Sequence, residues 1–105
     1  MMRNVVVEKT LAQLNCPEND FMNLERLHYE TAARERVLAL TLANESANLR
    51  GLFQDYYDEY MKILKEYDTA KQNFYVTYLS VIDEIDKCST WEANFTTRSV
   101  IFYGA

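Results

Sequence analysis

His28 is the single histidine of the chain, so a histidine-based catalytic triad within one chain has to use it. Cys16 and Cys88 are the two thiols, and neither sits in a nucleophile context. No Gly-x-Ser-x-Gly elbow occurs. No catalytic residue is assigned on this basis. The sharper spacing is Glu25-x-x-His28. Residues three apart on a helix project together, and di-iron carboxylate bundles take such a pair from each of two helices. One chain supplies one pair, a homodimer two, with Glu59 or Glu66 as further ligands. The ordinary reading is a surface histidine beside Tyr29, with carboxylates that merely flank apolar positions. That reading is adopted, so no metal or other cofactor is assigned. Glu25 and His28 stay as the ligands of an alternative, a homodimeric di-iron helical protein.

The two cysteines have no metal-like spacing, and no signal peptide opens the sequence. Free thiols in a reducing, cytoplasmic setting are therefore expected. The Asn44-Glu-Ser46 and Asn94-Phe-Thr96 sequons carry no meaning there. Sixteen acids against 11 bases give a net charge of -5, and no basic block is interleaved with aromatics. That argues against a nucleic-acid partner, because phosphate contact needs a basic face. The densest acidic runs are Asp55, Asp58 and Glu59, then Asp83, Glu84 and Asp86. They read as the solvated back of a helix. A further alternative is an acidic inhibitor of a nucleic-acid enzyme. No apolar run approaches the roughly 18 residues of a membrane span, so no membrane partner is expected.

Two glycines and one proline in 105 residues leave no phosphate-binding loop and favour helices. With 49% hydrophobic residues the chain reads as one folded domain, 1–105. Its main pattern runs through Phe53, Tyr56, Tyr60, Ile63, Tyr67, Ala70, Phe74, Tyr78, Val81 and Ile85. Steps of three and four alternate, with one extra four-residue step near Phe74. This is a heptad seam with a stutter, on a long helix or two helices from Ser46 to Lys87. Thr69-x-x-Gln72 offers a capping box for a break, although an unbroken helix is slightly favoured. Unbroken, the helix would be about 60 Å long, against about 36 Å for a preceding helix from Asp20 to Ala43. A second copy would cover the remainder. The expected oligomer interface is therefore Phe53, Tyr56, Tyr60, Ile63, Tyr67 and Phe74; the competing reading keeps the tyrosines half-buried within one bundle.

The preceding helix takes its N-cap from Asn19-Asp20. It has one apolar face of Phe21, Leu24, Leu27, Leu38 and Leu42, and another of Tyr29, Ala33, Val37 and Leu40. Asn44-Glu45-Ser46 offers a short connection, so the helices should run antiparallel as a hairpin over about 20–87. At the start, Val5-Val6-Val7 signals a strand, and Glu8 to Leu14 a turn of helix ended by Cys16-Pro17. Beyond Lys87, Trp91, Ala93 and Phe95 alternate with polar residues, Thr96-Thr97-Arg98 turns, and Ser99 to Tyr103 is β-branched and aromatic. That predicts a β-hairpin over about 91–103, or three strands with Val5 to Val7. The fold class is mainly α: a long antiparallel helical hairpin or small bundle with a short terminal sheet.

A Val-rich start, a helix with a charged centre, a Tyr-rich second helix and Trp91-Glu-Ala-Asn94-Phe95-Thr-Thr97 before a final strand form one layout. It resembles the small proteins encoded beside radical enzymes in clusters that modify CXXX-repeat peptides. The resemblance implies a non-enzymatic accessory protein that engages a precursor peptide or its modifying enzyme, and it carries over no catalytic residue. A sheet edge can take up an extended peptide, with Trp91, Phe95, Phe102 and Tyr103 as anchors. The favoured reading of the same aromatics is the core that joins sheet to helices. The expectation is a cytoplasmic, homo-oligomeric, non-enzymatic protein- or peptide-binding adaptor.

Overall fold

The computed structural model describes residues 4–43 and 50–104. The elements run β1 (Asn4–Thr10), α1 (Glu18–Ala43), α2 (Arg50–Phe74), a π turn (Tyr75–Leu79), a 3-10 turn (Ile85–Lys87), β2 (Thr90–Asn94) and β3 (Ser99–Gly104). The fold is mainly α with one three-stranded antiparallel sheet, as the sequence pattern predicts. Two compact units are distinguished within the chain, Met1–Met22 with Gln72–Ala105, and Asn23–Lys71. The Asn44-Glu45-Ser46 connection and the expected helix start at Ser46 lie outside the described residues.

In the first unit the sheet order is β1-β3-β2, so β3 is central and the other strands are edges. Val100 and Phe102 alternate along β3 and are buried at 0% and 1% exposure. That is the period-two burial expected of a strand. β1 pairs Val5 with Tyr103 and Val7 with Phe102, so Val6 is an extra, bulged residue. Gly104 answers that bulge. A Cβ there would lie 2.9 Å from the Val6 side chain and 3.1 Å from the Lys87 carbonyl oxygen. In the β2–β3 turn, the Asn94 Oδ1 accepts from the Thr96 and Thr97 backbone N–H groups at 3.1 Å each. Asn thus mimics a backbone turn, and Arg98 completes it at φ 55°.

After β1 the chain makes one capped turn. The Thr10 hydroxyl accepts from the Gln13 N–H, and the Gln13 side-chain oxygen accepts from the Thr10 N–H. This is a capping box at Thr10-x-x-Gln13. The turn closes with Cys16 N–H donating to Leu11 O and Asn15 N–H to Ala12 O, Asn15 lying at φ 53°. That pair of bonds is a Schellman motif with Asn in the left-handed position. Helix-like geometry therefore follows Thr10, while Glu8 to Thr10, expected in that turn, extends β1. α1 then begins at Glu18 rather than at an Asn19-Asp20 cap. Pro17 O accepts from Asp20 and Phe21, and Glu18 and Asp20 place acids in the first turn.

α2 passes through Thr69 without a break, so no capping box forms at Thr69-x-x-Gln72. It ends well before Lys87. At Phe74 it widens into the π turn, closed by Ser80 N–H donating to Tyr75 O at 2.8 Å. One extra residue per turn is the structural form of the sequence stutter. In an α-helix Leu79 would point about 140° away from Phe74; the wider turn brings residues five apart nearly into line, and both are buried. Val81, counted in the seam, is 72% exposed because the helix has already stopped. The following backbone returns toward the sheet, where Ser89 N–H donates to Tyr103 O at 2.7 Å.

Candidate interaction surface

The aromatics of the first unit face one another. Phe21, from the start of α1, lies 5.3 Å from Phe95 and 6.3 Å from Phe74, ring centre to ring centre. Phe74 in turn contacts Tyr78 at 5.1 Å and stacks on Trp91 at 6.0 Å. Contacts at these spacings are favourable beyond simple burial. Of the four residues expected as peptide anchors, Phe102 is buried and offers nothing to a ligand. Trp91 and Phe95 are half-buried in the cluster just described. The Tyr103 hydroxyl donates to Glu92 at 3.2 Å. Packing is thus the role in which the structure places Trp91 and Phe95.

Most polar groups around this core are satisfied in the same unit; the exception is Glu84, whose Oε1 accepts from Lys9 at 3.4 Å while its Oε2 is buried without a partner. The Ser99 hydroxyl, 2% exposed, bonds Glu8 and Thr97. The Tyr78 hydroxyl donates to Asp20. That bond, with desolvation and the Asp20 charge behind it, pushes Tyr78 up to about 12. Cys16 and Cys88 are free thiols. Burial, then the charge of Asp20, pushes the Cys16 thiol up to about 11, against the Phe21 N–H. Desolvation, then Glu84, raises Cys88 as well. Both favour the protonated thiol, the opposite of what a nucleophilic cysteine requires.

In the second unit Leu24, Leu27, Thr31 and Leu38 of α1 and Ile63 of α2 are buried. The Thr31 hydroxyl is bonded to Leu27 O at 2.7 Å. His28 Nδ1 lies 3.2 Å from the Tyr67 hydroxyl, linking α1 to α2. The His28 ring meets Tyr29 and Tyr67 edge-on, and Lys71 Nζ sits 4.3 Å from the Tyr67 ring centre. Burial, then Asp68, raises the Tyr67 pKa, so its hydroxyl keeps its proton. One imidazole nitrogen of His28 is thereby engaged by a phenol. Among the described residues no three His, Cys, Asp or Glu side chains gather to hold a metal. Glu59 and Glu66 are exposed, as are Asp55 and Asp58, Asp58 accepting from Gln54 at 2.9 Å.

The expected oligomer seam lies largely on covered faces. Ile63 and Phe74 are buried, and Phe53, Tyr56, Tyr60 and Tyr67 are half-buried, each within its own unit. Ile63 and Phe74 therefore drop out of any partner surface: the chain's own packing covers them. Several large apolar side chains are exposed, Tyr57 and Met61 of α2 among them; the longest run of them is the second stripe of α1. Tyr29 is 58% exposed, Val37 39% and Leu40 65%, with Ala33 also exposed between them. At 100° per residue these four fall within about 80° of arc, opposite Leu27, Thr31 and Leu38. The sequence signal for this face was present; what it lacked was any way to say which stripe the chain would cover. Comparison with family models, with curated proteins and with solved structures returns no match. No helix among the described residues is long and apolar enough to cross a membrane.

Proposed function

We propose that this chain is a non-enzymatic accessory protein that acts by binding another polypeptide. In this reading α1 and α2 pair as an antiparallel hairpin that turns the tyrosine seam inward and presents the outer stripe of α1. The open face of Tyr29, Ala33, Val37 and Leu40 carries the proposal. A contiguous exposed apolar face marks an interaction site. The raised thiols and the engaged His28 support a role without catalysis. Free cysteines support a reducing, cytoplasmic setting. The resemblance of Trp91 to Thr97 to CXXX-repeat peptide modification proteins gives the class of setting, the modification of a ribosomally made peptide.

A photo-crosslinking amino acid at Leu40, activated in the native host, tests the reading. The expected product is a covalent adduct with a polypeptide, absent when the probe stands at the equally exposed Val81. Equal labelling at both positions, or none at Leu40, would overturn it.

A further inference from the structure

The charges around the open stripe define its partner. Glu25 and Arg36 are eleven residues apart, so they lie on one flank of α1, about 20° apart in projection. Glu30 lies on the other flank and pairs at 2.8 Å with Arg26, which falls within the arc of the stripe one turn before Ala33. Among the described residues neither Glu25 nor Arg36 has an ion pair or hydrogen bond. The midpoint of Glu25 and Arg36 falls between Glu30 and Thr31; the midpoint of Tyr29 and Ala33 falls on Thr31. One two-fold axis therefore serves both pairs.

We infer that the occupant of this face is a second copy of the chain, with α1 antiparallel to its counterpart. In a two-fold antiparallel pair the same flank of each helix meets itself. Glu25 then faces the second Arg36, and Arg36 the second Glu25. In the same register each Tyr29 ring lies over the methyl of the opposite Ala33, large on small, and each Val37 meets the aliphatic stem of the opposite Arg26. A parallel two-fold pair would set the Glu25 and Arg36 flank against the opposite flank, where Glu30 lies, and would bring no Glu25 to an Arg36. The face from Glu25 to Leu40 is about 23 Å long. This inference rests on the binding role proposed for the stripe and names its partner.

Sedimentation velocity of the full chain from about 1 to 500 µM tests it, spanning the dissociation constants such a face can reach. The expected result is a monomer–dimer equilibrium weakened at least about thirtyfold by Leu40→Glu, with unchanged circular dichroism. Glu25→Arg and Arg36→Glu should each weaken it about tenfold, while their equimolar mixture and the double variant recover wild-type affinity. A dimer indifferent to Leu40→Glu overturns the surface. A dimer sensitive to Leu40→Glu but indifferent to the single reversals overturns the antiparallel register. A monomer at every concentration overturns self-pairing. If that monomer still cross-links a different protein through Leu40, the wider binding role stands; if it cross-links nothing, both fall.

Discussion

Phe21, Phe74, Phe95, Trp91 and Tyr78 touch ring to ring in the sheet-bearing unit, and the Tyr78 and Ser99 hydroxyls beside them find partners there. The helical unit is built differently. Its rings are spread along the helices, Tyr56, Tyr60 and Tyr67 stay half-buried, and Tyr29 and Leu40 face outward. The difference lies in which covering surface each unit has. A strand with one inward face can be sealed by a few large side chains from two helix ends. A long two-faced helix needs a neighbour on each side, and within the unit α1 contacts only one. The sheet unit thus covers the inward face of its central strand, while the helical unit leaves the outer stripe of α1 exposed.

The widest separation between the two is in core energetics. Phe102→Ala should cost about 3–5 kcal/mol, whereas Leu40→Ala at low protein concentration should stay within about 0.5 kcal/mol of wild type. Urea unfolding at about 1 µM reads both. A Leu40→Ala loss near that of Phe102→Ala would mean that α1 is covered in the monomer, and the contrast would collapse. Gly104→Ala comes next. Its methyl has no room between Val6 and the Lys87 carbonyl oxygen, so about 1–3 kcal/mol should be lost. An unchanged midpoint would show that the bulge relaxes freely and that the sheet unit is looser than its packing indicates.

Smaller effects sharpen the same contrast. Thr10→Ala removes one half of the capping box and should cost about 1 kcal/mol, with Gln13→Ala not adding fully to it. Tyr78 titration follows. Folding raises its pKa from 10.0 to about 12, so folding favours the protonated phenol. The contribution is full below the ordinary tyrosine value and is lost as pH rises through about 12. Difference absorbance at 295 nm should show two late-titrating tyrosines, Tyr67 and Tyr78; Tyr78→Phe should remove one of them and Asp20→Asn should shift it down. Last, Cys16 is buried and raised, so iodoacetamide at pH 8 should modify Cys88 first and reach Cys16 at a rate set by unfolding. Equal rates at the two thiols would argue for an open sheet unit.

The sequence alone determined the local chemistry. Sparse glycine and proline with runs of three-and-four spacing dictated helices; alternation at Trp91 to Phe95 and β-branching at Val5 to Val7 and Ser99 to Tyr103 dictated strands, and all three strands form. The extra step near Phe74 already encoded the π turn, and Thr10-x-x-Gln13 already encoded a capping box, because both depend on residues a few positions apart. The second, open stripe of α1 was equally legible as a pattern. Only the tertiary structure decided which pattern met which. Ser80 carries no stop signal, yet the π turn that follows α2 ends there and the backbone beyond it bonds β3 through Ser89 N–H and Tyr103 O. Trp91 and Phe95 read as core or, less favoured, as anchors until Phe21 and Phe74 were seen against them. Burial depends on what lies opposite in space, and spacing along one helix specifies a face without specifying what covers it.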